Sequence, residues 1–114
     1  MRLVGLDYDF RDIEFLRVIL TKVVTDYSPP DLRAYISPSG RGYHVRFSIG
    51  LGFTDEDLLR IRAELHDDPN RISMVDNCYR DVLFNIKMVD GVIMREKEID
   101  VNRIIEFGEE VVCG

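Results

Sequence analysis

Two aspartates stand two residues apart near the start of the chain, in Leu3-Val4-Gly5-Leu6-Asp7-Tyr8-Asp9. On an extended strand, side chains at i and i+2 leave the same face, roughly 6–7 Å apart. Hard cations such as Mg²⁺ or Mn²⁺ take carboxylate oxygens and keep several waters, which makes Asp7 and Asp9 a candidate cation site. A third carboxylate, Asp76, ends the short apolar run Arg71 to Asp76 and is a candidate for completing a two-metal site. Such sites carry phosphoryl transfer by activating the attacking oxygen and steadying the leaving one. His44 and Arg46 alternate with apolar residues in Tyr43 to Ile49, so both are expected on one strand face as candidate phosphate contacts. Ahead of them, Ser39-Gly40-Arg41-Gly42 has little side-chain bulk, and its backbone N–H groups are candidates for approaching a phosphate.

The elements that must position these residues follow from hydrophobic period and turn chemistry. Leu3 to Phe10 alternates as a strand, with Val4, Leu6, Tyr8 and Phe10 on one face and the two acids on the other. Arg11 to Tyr27 carries apolar residues at helical spacing and stops at Ser28-Pro29-Pro30, because proline cannot continue a helix. Leu32 to Ser37 and Tyr43 to Ile49 are predicted strands joined by a turn at Pro38 to Gly42. Thr54 is a predicted N-cap, and Asp55, Glu56 and Asp57 suit the positive end of the following helix. Arg71 to Asp76 is a predicted short strand, and Asp90-Gly91 is a hairpin turn between Val82 to Met88 and Val92 to Lys97. The tail from Val101 to Val112 does not decide between strand and helix.

The order is β-α-β-β-α-β followed by a hairpin, in one domain spanning residues 1–114. That pattern implies an α+β, ferredoxin-like or RRM-like split β-α-β sandwich, with helices on one face of a mainly antiparallel sheet. The first and third strands become central neighbours, and the fourth is expected beside the first. Asp7, Asp9, His44 and Arg46 then face the open side.

Composition narrows the function classes. The formal net charge of −6 argues against indiscriminate coating of nucleic acid, since phosphates repel it. From Leu32 to Thr54, however, there is no acid, while Arg33, Arg41, His44 and Arg46 make a local basic patch. The cysteines, Cys78 and Cys113, lack metal-ligand spacing and are expected to be free thiols. No stretch reaches the length of a membrane span, and an acid follows the N-terminus too soon for a secretory leader. The chain therefore reads as cytoplasmic, without a membrane partner.

Taken together, three segments resemble the archaeo-eukaryotic primase superfamily. Leu3 to Asp9 is similar to its first motif, an apolar strand carrying DxD. Ser39-Gly40-Arg41-Gly42-Tyr43-His44-Val45 resembles its second, a serine-glycine turn leading to a histidine. Arg71 to Asp76 is similar to its third, a strand ending in an acid, and Lys87 matches a basic residue placed near the triphosphate. The resemblance implies Asp7, Asp9 and Asp76 as catalytic metal ligands and His44 as a nucleotide contact, with template-directed transfer from NTPs or dNTPs. It implies a small relative, as of an archaeal virus or plasmid acting in the host cytoplasm, needing a homodimer or a replication partner. It also implies single-stranded DNA or RNA as the template.

Two other readings stay open. One is a non-catalytic nucleic-acid-binding module, although Tyr8, Tyr43 and Phe47 are expected to point toward the helices rather than toward bases. The other is a dimerising structural protein of a mobile element, which would bury the open sheet face.

Overall fold

The computed structural model describes residues 1–69 and 86–113. Strand β1 runs Arg2–Tyr8, β2 Arg33–Ile36 and β3 Tyr43–Ile49, with helix α1 at Ile13–Tyr27 and helix α2 at Asp55–Glu64. A hairpin of β4 (Ile86–Val89) and β5 (Val92–Arg95) follows, then β6 (Lys97–Ile99) and helix α3 (Val101–Phe107). The main sheet has the order β1-β3-β2-β6, and the hairpin forms a separate two-stranded sheet. β3 lies between β1 and β2 and is antiparallel to both. This is the split β-α-β arrangement that the element order implies.

Period-2 patterning decides which face is covered. Val4, Leu6 and Tyr8 of β1 join Val45 and Phe47 of β3 in one core with Leu16, Leu20 and Val23 of α1 and Leu58 and Ile61 of α2. The opposite face carries Asp7, His44 and Arg46. α1 begins at Ile13, two residues later than the sequence suggests, because the Asp12 side chain caps the amides of Glu14 and Phe15. α2 starts with a reciprocal capping box between Thr54 and Asp57.

Several expectations change in detail. β1 ends at Tyr8, so Phe10 is 47% exposed instead of core, although its ring still packs on Phe15. The hairpin turn at Asp90-Gly91 is present, with Asp90 at φ 51° and Gly91 at φ 78°. The strand after it breaks at Glu96, and the chain re-enters the main sheet as β6 beside β2. The tail resolves into helix α3, capped by Asp100 and ended at Gly108, plus a bridge from Val112 to Ile99.

The predicted strand Arg71 to Asp76, and Cys78, lie outside the described residues. Arg62 donates to the Gly5 carbonyl of β1, and the Asp7 N–H donates to Asp67. Cys113 is an exposed free thiol. Among the described residues, no helix is long and apolar enough to cross a membrane.

Candidate metal and nucleotide site

Asp7 sits near the C-terminal end of β1, and Asp9 follows directly after the strand ends at Tyr8. Asp7 and Asp9 stand with Asp68 so that one carboxylate oxygen from each lies within 4.8 Å of the others. All three are hard oxygen donors, the set that Mg²⁺ or Mn²⁺ prefers. Asp9 feels the crowding: burial, then the negative charges of Asp7 and Asp68, push its carboxyl above the usual range, while His44 opposes the shift.

Asp68 reaches this place because the turn after α2 is fastened to β1. Asp67 and Arg62 are both buried and form an ion pair at 3.0 Å. Asp67 Oδ1 accepts from the Asp7 N–H at 2.8 Å, and Arg62 Nη1 donates to the Gly5 carbonyl at 2.5 Å. Nearby, the buried Tyr8 hydroxyl donates to the Leu65 carbonyl at 2.7 Å. The last turn of α2 and the turn after it are therefore held at Gly5, Asp7 and Tyr8, which delivers Asp68 to the acids.

The register aligns Asp7 with His44, His44 with Tyr35 and Tyr35 with Glu98, giving a row across four strands. His44 Nε2 lies 3.4 Å from Asp7 Oδ1, so the strand pairing predicted from parity is observed. His44 is nevertheless only 6% exposed. Its Nδ1 lies 3.0 Å from Glu96 Oε2, and Arg46 Nη1 donates to Glu96 Oε1 at 2.7 Å. The Arg46 guanidinium also stacks on the Tyr35 ring, 4.7 Å from its centre.

The Ser39–Gly42 turn is internally bonded. The Gly40 N–H donates to the Ser37 carbonyl, the Arg41 N–H to Ser39 Oγ, and the Gly42 N–H to Ser37 Oγ. Those three amides are thus engaged within the turn. Arg41 is exposed beside them.

The sequence-predicted residues Asp7, Asp9 and His44 are brought together, and Arg46 lies one row away on the same face. Asp76 lies outside the described residues. Lys87 sits exposed on β4 of the separate hairpin. Asp68, Asp67, Arg62 and Glu96 were not singled out by motif. Arg62 did leave a trace: it falls four residues after Leu58 and three before Leu65, on the apolar stripe, where an arginine needs a partner. No protein-family description, curated protein or solved structure matches this chain.

Proposed function

We propose that the chain is a primase-like nucleotidyltransferase, or a derivative of one, that binds a nucleoside triphosphate with Mg²⁺ or Mn²⁺ in nucleic-acid synthesis. The observation that supports this reading is the meeting of Asp7, Asp9 and Asp68 directly across from His44. Three carboxylates would hold the cation, and His44 and Arg46 would meet the phosphates. The bound cation would supply charge neutralisation on the phosphates and a lower pKa for the attacking hydroxyl. In the reaction a 3′-hydroxyl oxygen bonds to the α-phosphorus, the bond to the bridging oxygen breaks, pyrophosphate leaves, and the hydroxyl proton passes to water. Single-stranded DNA or RNA would be the template, in the cytoplasm, with a homodimer or replication partner completing the strand-binding surface.

The test is calorimetric titration of ATP and dATP with Mn²⁺ and with EDTA. Binding that requires Mn²⁺ and is lost in Asp7→Ala is expected. Absence of nucleotide binding under both conditions would overturn the reading.

A second reading, a dimerising structural protein, is favoured by the hairpin. Ile86, Met88, Val92 and Ile93 are exposed on it, and a two-stranded hairpin is marginal without packing. Sedimentation equilibrium separates the cases: a dimer that Val92→Lys dissociates supports it, and a monomer at all concentrations removes it.

A further inference from the structure

Glu96 is the single residue between β5 and β6, and it belongs to neither ladder: Arg95 pairs with Ile86, and Lys97 pairs with Ile36. Its side chain can therefore turn without changing strand register. Its two oxygens meet two different partners, His44 Nδ1 and Arg46 Nη1, at 3.0 and 2.7 Å. All three side chains are largely withdrawn from solvent, at 8%, 20% and 11% exposure for His44, Arg46 and Glu96. A carboxylate in that position offers what a phosphate offers: two anionic oxygens on one centre, accepting charge-assisted hydrogen bonds from neighbouring side chains.

We propose that Glu96 is an internal competitor, whose carboxylate occupies the anion position on His44 and Arg46 that a ligand phosphate takes. The identity of that ligand as a nucleotide triphosphate rests on the function proposed above. The competition itself rests only on the two contacts of Glu96. The consequence is a site whose anion affinity is lowered by its own chain, because a phosphate gains the two donors only after Glu96 releases them. The neighbouring Asp7, 3.4 Å from His44 Nε2, adds to the negative surroundings that an incoming anion meets. Neutralisation of Asp7 by a cation would remove that repulsion but leave Glu96 in place.

The experiment is titration of inorganic triphosphate in EDTA, into the unaltered protein and into Glu96→Gln, with Glu98→Gln as control. Glu98 lies on β6 and pairs with Arg33, so its loss changes net charge equally without removing a contact to His44 or Arg46. Glu96→Gln is expected to bind triphosphate about tenfold tighter, the scale of one charge-assisted hydrogen bond. Glu98→Gln is expected to stay within about twofold, since exposed charges are screened. Adding Arg46→Gln to Glu96→Gln should remove the gain. Equal affinity in Glu96→Gln and the unaltered protein, with circular dichroism unchanged, would overturn the proposal, as would an equal gain in Glu98→Gln. Should Glu96→Gln lose its fold, Glu96→Asp decides: its shorter carboxylate cannot span both donors, so tighter triphosphate binding supports the proposal and unchanged binding overturns it. Failure of the nucleotide reading shows separately, as absence of Mn²⁺-dependent ATP binding in the unaltered protein.

Discussion

The main-chain N–H of Asp7 donates to Oδ1 of Asp67 at 2.8 Å, across 60 residues of sequence. The bond ties the turn after α2 to β1 at the first residue of the DxD. Asp67 also holds Arg62, which donates in turn to the Gly5 carbonyl. The pair closes a buried ring between α2 and β1.

Breaking that ring is expected to be costly. Asp67→Ala leaves Arg62 charged and buried, and the loss should be about 3–5 kcal/mol in urea unfolding. Arg62→Met combined with Asp67→Asn removes both charges while keeping an acceptor for the Asp7 amide. It should recover most of that loss, because a buried pair replaced by neutral groups of similar volume is often near neutral. A double variant as unstable as Asp67→Ala would show that the pair's value lies in the charge itself.

The third acid is a second point of decision. The resemblance to primases assigns that role to Asp76, whereas geometry gathers Asp68 with Asp7 and Asp9. Asp68→Asn should weaken Mn²⁺ binding about tenfold, as loss of one charged ligand does, with little change in melting temperature. Isothermal titration of Mn²⁺ alone reads this directly. Full affinity in Asp68→Asn together with loss in Asp76→Asn would return the role to the motif.

Asp9 gives a pH dependence with a definite sign. Its carboxyl titrates above the ordinary range because of burial and the charges of Asp7 and Asp68. A raised carboxyl pKa means that the folded state holds the proton longer. The repulsion is therefore fully felt above the raised value and disappears below the unfolded one. Mn²⁺ competes with that proton, so affinity should climb with pH through a window just above the usual carboxylate range. Asp9→Asn should flatten the climb and remove most binding. In EDTA at neutral pH it should raise the melting temperature by about 2 °C, since solvent limits the relief to about 0.5 kcal/mol at so exposed a group. Differential scanning calorimetry checks the gain, and a fall in melting temperature would contradict it.

What the sequence carried was periodic, and what it concealed was conformational. Alternation in β1 and β3 put Val4, Leu6, Val45 and Phe47 on the face toward the helices and Asp7, His44 and Arg46 on the opposite face, since strand parity leaves no other choice. Asp12 captured the helix start because its side chain bonds Glu14 and Phe15 amides, a matter of rotamer that apolar spacing does not encode. The break at Glu96 was hidden because it falls inside the charged run Arg95 to Glu98, where no glycine or proline marks an interruption. Only the return of the chain to β2 splits it into β5 and β6. The place of Asp68 beside Asp7 and Asp9 was hidden for a related reason. Asp67 and Asp68 read as residues ending α2, and their meeting with β1 depends on a buried arginine's geometry. In the Ser37–Gly42 turn, the serines and glycines announced a turn but not where its amides would point.

That turn yields a last prediction, because one of its glycines touches the acid-bearing strand. A Cβ at Gly42 would fall inside the van der Waals envelope of the Tyr8 carbonyl oxygen, which is backbone and cannot rotate away. Tyr8 separates Asp7 from Asp9, so any retreat of that carbonyl tilts the two acids relative to one another. Gly40 differs: it sits at φ 75° with open space around the missing side chain, and its substitution strains only the turn itself. Gly42→Ala should therefore cost about 2–3 kcal/mol, in the range of overpacking a filled site, and weaken Mn²⁺ binding as well. Gly40→Ala should cost about 1 kcal/mol, the left-handed backbone penalty, with Mn²⁺ affinity unchanged. Urea unfolding paired with Mn²⁺ titration separates the two. Equal metal affinity in both variants would mean that the Tyr8 carbonyl does not set the spacing of Asp7 and Asp9.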